Sequence, residues 1–346
     1  MHLPCQQIAS YLGCSGRYSG VVSGFSQDSR LVERNHLFFA LKGEQVDGHA
    51  YLSEIANKGA LAAVVSSLYQ GPSFGLQLFY VPDVLLALQN LAHRVHSERS
   101  SKVVAVTGSV GKTTTKEFIV TLLSGALRVG KTPGNANSQV GLPLAILNAD
   151  GDEDVFVAEM GMTGPGHIKQ LVSMIPPNIA VVTKVALCHA LYFENGLEGI
   201  AEAKAEVLST AAVGVLNRQV LDFEPFRQLP CEVITYGARD ADVFIRPQGS
   251  QFLIESKRGP SAPFALPYLP SHFIENLSGA AAVALALGLS YEEIAMQAGK
   301  LTSFAKRFEQ VDRAGVLFVN DSYNANPTSM QAALANLPAT APGGKK

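Results

Sequence analysis

Residues 103–115, VVAVTGSVGKTTT, decide the fold of this chain. The apolar run VVAV has the length of a buried strand, and TGSVGKTTT follows it directly. Gly108 and Gly111 allow the backbone to turn tightly and to point its N–H groups at phosphate oxygens. Lys112 would reach the β- and γ-phosphates of a nucleotide, and Thr113 would place its hydroxyl on Mg²⁺. The segment therefore predicts a strand, a phosphate-binding loop and a helix.

The loop is a shortened variant of the phosphate-loop motif GxxxxGK[ST], which would require glycine at the position of Val106. The alternative is an ordinary glycine-rich turn between a strand and a helix. The order of β-run, GKTT and helix favours nucleotide binding, and the helix from about Thr114 adds its positive N-terminal end. The residues predicted to surround the phosphates are Gly108, Ser109, Val110, Gly111, Lys112, Thr113 and Thr114.

Beyond this loop, apolar runs of strand length alternate with stretches of helical spacing. The predicted strands are residues 103–106, 155–158, 179–183 and 213–217. This alternation predicts an α/β fold with a mostly parallel sheet covered by helices on both faces. In such sheets ligands bind beyond the carboxyl ends of the strands.

The pattern also predicts the domain organisation. Residues 1–100 form a small α/β domain, with strands at 37–41 and 61–65, helices at 51–58 and 84–98, and a linker at 97–102. Residues 101–305 form the central domain, which ends with a buried helix at 276–289. Residues 306–346 contain one strand, at 316–320, and one helix, at 329–337. One strand and one helix predict an incomplete third domain.

Composition excludes several classes of protein. The 346 residues are 47% hydrophobic and 16% charged with a net charge of −2, so disorder, a nucleic-acid-binding tail and a polybasic membrane patch are not expected. The N-terminus has no signal-peptide pattern, and the longest apolar stretch is too short to span a bilayer. The four cysteines form no CxxC pair. We predict a cytoplasmic protein with reduced thiols and no membrane insertion.

Two residues beyond strand ends are candidate metal ligands. Glu159 ends the strand in DVFVAEMG, where its carboxylate could hold Mg²⁺ bound to ATP, although a strand-end acid is often simply solvated. His189 follows IAVVTKVALC. A lone histidine is usually structural, but this one falls on the same predicted rim as Lys112 and Glu159.

Lys204 falls on the apolar face of its predicted helix, EGIAEAKAEVL. At 100° per residue it lies about 40° from Ile200, whereas Glu198, Glu202 and Glu206 cluster on the opposite, solvated face. Burial favours the neutral amine, which can react with CO₂ to give a carbamate, a carboxylate-like metal ligand. The alternative is a lysine whose stem packs while its ammonium reaches water.

Together these motifs resemble the Mur ligase family, from about residue 23 to the C-terminus. TGSVGKTTTKE resembles the family's phosphate loop. EMGM, His189 and the AKAE around Lys204 resemble its metal site, in which Glu and His bind Mg²⁺ and a carbamylated lysine supports a second ion. The resemblance implies the ATP contacts of three further residues: Asn276 in HFIENLSGAA with adenine, Arg307 in RFE with phosphate, and Asp321 in NDSYNANP with ribose.

The resemblance extends to the precursor-binding segments. GNANSQVGLPLAIL at 134–147 is similar to the family's substrate-binding segment, with Asn135 and Asn137 as the matching polar residues. The N-terminal DSR and LFFALKGEQVDGHAYL segments resemble its UDP-binding domain. The residues in that match are Ser29, Arg30, Lys42, Gly43, Asp47 and His49.

The resemblance implies a monomeric, ATP- and Mg²⁺-dependent ligase of peptidoglycan synthesis. It would join D-alanyl-D-alanine to UDP-MurNAc-tripeptide through an acyl phosphate, and NDSYNANP points to this branch of the family. Lys112, Lys204, His189 and Arg307 would be catalytic. One alternative is another amino acid ligase of the family; the other is a chain that binds precursor and nucleotide without turnover.

Three departures from the family pattern bear on these alternatives. Lys184 stands where the family usually has Asn, and Lys306 where it usually has Gly. Only the first strand and helix of the third domain are present, so the 346 residues alone are expected to bind the UDP-precursor without forming the amide bond.

Overall fold

The computed structural model describes residues 2–188, 190–237, 239–257, 259–267, 269–302 and 304–338. Within these residues, the N-terminal part folds around a four-stranded parallel sheet of order β3-β4-β5-β6. Its elements are β1 (Leu3–Pro4), α1 (Cys5–Leu12), β2 (Val21–Val22), β3 (Gly24–Ser26), β4 (His36–Phe39), α2 (Leu52–Asn57), β5 (Ala62–Ser66), β6 (Gln77–Val81) and α3 (Val84–Ser97).

Burial on both faces explains why these strands read as continuous apolar runs. Leu37 and Phe39 of β4 enter one hydrophobic cluster, whereas Phe38 between them enters another. A strand covered on both sides has no polar face to alternate with its apolar face. The predicted strands at 37–41 and 61–65 and the predicted helices at 51–58 and 84–98 are confirmed to within two residues.

The central part contains a nine-stranded sheet of order β15-β14-β13-β12-β11-β10-β7-β9-β8 within the described residues. Strands β7 to β13 are mutually parallel, and at one edge β14 pairs antiparallel with β13 and with β15. The strands are β7 (Lys102–Thr107), β8 (Val129–Lys131), β9 (Val155–Glu159), β10 (Ile179–Val182), β11 (Val213–Asn217), β12 (Glu232–Tyr236), β13 (Val243–Gln248), β14 (Gln251–Ser256) and β15 (Gly259–Pro260).

Helices cover both faces of this sheet, as the alternation of patterns predicts. Val103 and Ala105 of β7 pack into one cluster, and Val104 and Val106 pack into the cluster on the other face. The helices are α4 (Lys112–Leu123), α5 (Gly141–Asn148), α6 (His167–Met174), α7 (Gly196–Ala205), α8 (Ser271–Ala286) and α9 (Tyr291–Ala298). The mostly parallel α/β fold is thus confirmed.

The structure corrects the sequence prediction at several element ends. Helix α4 begins at Lys112 rather than near Thr114, and α8 spans Ser271–Ala286 rather than 276–289. Strands β13, β14 and β15, at one side of this sheet, were not predicted. β13 and β14 mix polar and apolar residues instead of forming an apolar run, and β15 has only two residues.

Helix α3 joins the two sheets. It packs on α5 and α6, and His93 Nδ1 lies 3.0 Å from the Met174 carbonyl oxygen. A second junction is formed by Asn148, whose side-chain amide donates to the Phe25 carbonyl and accepts from the Phe25 N–H, both at 2.9 Å. These contacts hold the N-terminal sheet next to the central sheet.

The described C-terminal residues form a hairpin, β16 (Glu309–Arg313) and β17 (Val316–Asn320), followed by α10 (Pro327–Ala335). The predicted strand at 316–320 is confirmed, and the predicted helix at 329–337 begins two residues earlier, after an Asn326 cap. The domain boundaries at 100 and 305 remain predictions. Among the described residues, no helix is both long and apolar enough to cross a membrane.

Candidate functional site

The loop between β7 and α4 requires its two glycines. Gly108 has φ 146°, and a Cβ there would lie 1.9 Å from Thr183 Oγ1. Gly111 has φ 88°, and a Cβ there would lie 2.7 Å from Asn276 Oδ1. Both positions combine a backbone conformation that disfavours L side chains with a close neighbour. The sequence therefore builds the tight turn expected of a phosphate loop.

The segment after β10 holds this loop in place. The Ser109 N–H donates to the Lys184 carbonyl at 2.7 Å, and its hydroxyl donates to the Ala186 carbonyl at 2.8 Å. The Thr183 hydroxyl donates to the Val110 carbonyl at 2.6 Å. Lys184 therefore contributes its backbone to the loop, while its ammonium pairs with Glu275 at 2.9 Å.

Lys112, at the start of α4, folds its side chain over the loop. Its ammonium donates to the Gly108 carbonyl at 2.8 Å. Burial lowers the pKa of Lys112, and the carboxylate of Glu159 opposes that shift. The Lys112 ammonium therefore lies next to the position that an anion bound by the loop N–H groups would occupy.

Glu159 is buried rather than solvated, and hydroxyl and amide groups bind both of its oxygens. With only 2% of its surface exposed, it accepts from the Thr113 hydroxyl at 2.7 Å and from the Asn137 amide at 2.8 Å. Arg307 Nη2 donates to the same Thr113 hydroxyl at 2.9 Å, with its guanidinium 4.1 Å from the centre of the Tyr323 ring. The segments of Thr113 and Asn137 therefore meet at the Glu159 carboxylate, and Arg307 is linked to it through Thr113.

Lys204 lies at the same end of the sheet, where α7 buries it to 2% exposure. Burial lowers its pKa to about 7, and the nearby Lys112 contributes to the decrease. The helix is held in this orientation by Glu206, which accepts from the N–H groups of Gly166 and Lys169 at 3.2 and 2.8 Å. Glu206 therefore caps α6 instead of lying on a solvated face, which corrects the sequence prediction.

The central cavity encloses about 640 Å³ at the carboxyl ends of β7 and β9. It brings together most of the predicted nucleotide, substrate and metal residues: Gly108, Ser109, Val110, Gly111, Lys112, Thr113, Asn135, Asn137, Glu159, Lys204 and Arg307. His189 lies outside the described residues. Among the residues described, no group of three or more His, Cys, Asp and Glu side chains forms a metal cluster, so the candidate ligands present are Thr113, Glu159 and Lys204.

Three predicted ATP contacts do not line this cavity. Thr114 is buried in α4 and Asn276 lies against Gly111 beneath the loop. Asp321 accepts from the Phe308 N–H at 3.0 Å, and burial raises its pKa. In this arrangement Asn276 lies against the phosphate loop, and Asp321 holds the backbone next to Arg307.

Sequence reasoning missed several residues that do line it. His167 at the start of α6 and Tyr323 to Asn326 after β17 face the phosphate loop. The sequence singles out NDSYNANP as a motif, but it gives no sign that the Tyr323 ring lies against Arg307. Only the fold brings these two residues together.

A second cavity, of about 1300 Å³, lies at the end of the N-terminal sheet. All the predicted UDP-binding residues line it: Ser29, Arg30, Lys42, Gly43, Asp47 and His49. The Ser66 N–H donates to His49 Nε2 at 2.9 Å, so the other ring nitrogen carries the proton and donates to Asp47 at 2.6 Å. Val140 lines both cavities, which therefore lie next to each other.

Lys306 adopts the left-handed conformation, with φ 60°, just before Arg307. Replacing Lys306 with glycine should increase the free energy of unfolding by about 0.5–1 kcal/mol, because the strain relieved exceeds the added chain entropy. Denaturant unfolding measures this change. Lys300→Gly, at a position without positive φ, should be neutral or destabilising. Equal free energies of unfolding for the two variants would contradict the presence of backbone strain at Lys306.

Comparison with known proteins gives two family matches. Residues 106–284 match the Mur ligase middle domain, and residues 21–94 match the Mur ligase family, catalytic domain. The first match contains the phosphate loop, Glu159 and Lys204. The second contains all six predicted UDP-binding residues that line the larger cavity.

Individual relatives agree with these matches. The UDP-N-acetylmuramoyl-tripeptide--D-alanyl-D-alanine ligase of Bacillus subtilis (strain 168) is 35% identical over 326 residues, which cover 91% of this chain and 70% of that protein. A crystal structure of MurF from Acinetobacter baumannii is 28% identical with a TM-score of 0.87, covering 97% of this chain and 76% of that one. MurF ligase from Thermotoga maritima in complex with ADP is 30% identical with a TM-score of 0.79, covering 92% and 75%.

Proposed function

The chain belongs to the Mur ligase family, and we propose that it is the ATP-dependent ligase that joins D-alanyl-D-alanine to UDP-MurNAc-tripeptide in peptidoglycan synthesis. The observation that carries the proposal is the adjacency of two cavities, both of which Val140 lines. One has the residues expected to hold UDP and the other has a phosphate loop. A precursor bound in the first cavity would extend its peptide towards nucleotide in the second.

The ATP site is built around the phosphate loop. Its N–H groups and Lys112 would surround the β- and γ-phosphates, and Arg307, which contacts Thr113, would bind phosphate as well. A fixed cation is suited to this task because it needs little reorganisation when charge develops. The Thermotoga maritima relative was solved in complex with ADP, which supports nucleotide binding by this chain.

The residues present also fit Mg²⁺. Thr113 and Glu159 present oxygen ligands 2.7 Å apart beside the phosphate loop, and oxygen is the donor that Mg²⁺ prefers. Lys204, as a carbamate, would add a further carboxylate-like ligand in the same cavity. Bound Mg²⁺ would neutralise phosphate charge during transfer.

The residues account for the chemistry of the first step. The terminal carboxylate of the tripeptide attacks the γ-phosphorus of ATP, giving an acyl phosphate and ADP. Both reactants are anions, so the step depends on positive charge held close to the phosphate oxygens. Lys112 and Arg307 supply that charge, and Asn135 and Asn137 would orient the peptide from the facing wall.

In the second step, the amine of D-Ala-D-Ala attacks the acyl carbon and inorganic phosphate leaves. The new bond is the amide, and the amine proton passes to solvent or to the departing phosphate. Neither step requires a covalent nucleophile from the protein. We further propose that the enzyme works as a cytoplasmic monomer, as its family resemblance implies.

Product analysis tests this function in the natural polypeptide that contains residues 1–346. UDP-MurNAc-tripeptide, ATP and D-Ala-D-Ala together should give phosphate and a product heavier by one D-Ala-D-Ala minus water. Without D-Ala-D-Ala in the reaction, this product should not form. Product formation with a single amino acid but not with D-Ala-D-Ala would show that the chain is another ligase of the family.

Replacing Lys42 with methionine should weaken UDP binding about tenfold, because a cation on the wall of the larger cavity would be lost. Calorimetry with UDP measures the change. ADP affinity of the same variant should stay within twofold of the unsubstituted chain, since Lys42 does not line the central cavity. Unchanged UDP affinity would place the diphosphate elsewhere.

A further inference from the structure

Lys116, one turn after the phosphate loop, is fully buried and points towards the candidate active site. Its side chain has 0% exposure, and its ammonium donates to the carbonyl oxygens of Thr132 and Gly134, both at 2.8 Å. A lysine is rarely buried so completely unless its charge is compensated. The roles proposed above do not use this residue.

Two carboxylates complete the surroundings of the ammonium. Glu117 lies 3.3 Å from it, and Glu159 Oε2, the oxygen that accepts from Thr113, lies 3.9 Å from it. Burial lowers the pKa of Lys116, and both carboxylates act against that shift. The ammonium therefore lies among four oxygen-bearing groups, much as a bound cation would.

The two carbonyls belong to the segment that begins the substrate-facing wall. Gly134 directly precedes Asn135, and Asn137 follows and donates to Glu159. The same segment contacts Glu159 a second time, because the Thr132 hydroxyl accepts from the Glu159 N–H at 3.0 Å. Lys116 thus links α4, which carries Lys112 and Thr113, to the wall that carries Asn135 and Asn137.

We propose that Lys116 is a positioning residue that fixes the segment 132–137 and Glu159 relative to the phosphate loop, and so sets the affinity for the peptide part of the precursor. The inference rests on the proposed function. Lys116 itself does not line the central cavity, so it acts through the residues it holds. The uridine diphosphate part, bound in the larger cavity, should not depend on it.

Lys131 offers a matched control. Its ammonium contacts Glu117 at 2.5 Å, so Lys131→Met also removes one cation from that carboxylate. Its side chain is 41% exposed, and the contact described for its ammonium is with Glu117, not with Glu159 or the carbonyls of Thr132 and Gly134. Lys131→Met and Lys116→Met therefore differ mainly in the contacts to the segment 132–137.

Calorimetry with UDP and with UDP-MurNAc-tripeptide tests the proposal. Lys116→Met should weaken precursor binding about tenfold and leave UDP binding within twofold, whereas Lys131→Met should change neither. Lys116→Arg, which keeps a charged donor, should recover part of the lost precursor affinity. If the Met variant does not fold, Lys116→Gln takes its place in the same comparison.

Two results would overturn the proposal. One is equal precursor affinity in Lys116→Met and Lys131→Met. The other is a parallel loss of UDP and precursor affinity, which would show a general structural role. Failure of the unsubstituted chain to prefer the precursor over UDP would instead count against the proposed function on which the inference rests.

Discussion

Replacing Lys204 with alanine is expected to reduce D-Ala-D-Ala-dependent phosphate release about 10²–10³-fold, the cost of losing one well-placed group that stabilises charge. The residue is buried beside the phosphate loop, and its pKa of about 7 leaves much of the amine neutral at physiological pH. A neutral amine can add CO₂ and become an anionic ligand. The rate is measured in the natural polypeptide that contains residues 1–346.

Chemical rescue separates this role from a packing defect. Formate or acetate should restore part of the activity of Lys204→Ala, because a small carboxylate can occupy the space of the carbamate. Removing CO₂ should lower the activity of the unsubstituted enzyme, and bicarbonate should restore it. Lys169→Ala, which removes an exposed lysine from the neighbouring helix, is the control. Full activity of Lys204→Ala would refute the metal-supporting role.

The carbamate also predicts a pH dependence. Because burial lowers the pKa of Lys204 to about 7, the amine is mostly charged below that pH and mostly neutral above it. Only the neutral amine reacts with CO₂, so dependence of the rate on added bicarbonate should be strongest on the acidic side of pH 7.

Replacing Lys112 with methionine should reduce ADP affinity about 10–100-fold, because an ammonium within the phosphate-binding loop is lost. Turnover should fall further, by about 10³-fold, since negative charge on the phosphate oxygens must be stabilised during transfer. Thermal shift with ADP and phosphate release measure the two effects.

Retained UDP binding would show that the Lys112→Met variant is folded, because Lys112 does not line the UDP cavity. Lys102→Met removes an exposed lysine from the strand that leads into the loop and should change neither ADP affinity nor rate. If Lys112→Met bound ADP as tightly as Lys102→Met, the loop would not be the phosphate site.

The sequence predicted the parts of the site that are local. GKTT after a strand places the phosphate loop, and the position of Lys204 on its helix predicts the burial that is observed. These features depend on a few neighbouring residues and on strand and helix periodicity, so one chain segment contains the information.

What the sequence could not predict depends on contacts between distant segments. Arg307 and Thr113 are 194 residues apart in the chain and 2.9 Å apart at the donor and acceptor atoms. The positions of Asn276 beneath the loop and of Tyr323 against Arg307 likewise follow from packing of several elements. A pattern along one segment does not encode such distances.

The contact between Asn148 and Phe25 has a consequence for solubility. Strand β3 lies at the edge of its sheet, and an exposed edge can recruit a strand from another molecule. The Asn148 side-chain amide forms hydrogen bonds with both the N–H and the carbonyl of Phe25, as a neighbouring strand would. One side chain on the adjoining helix therefore blocks a template for intermolecular β-pairing at the place where the two sheets join.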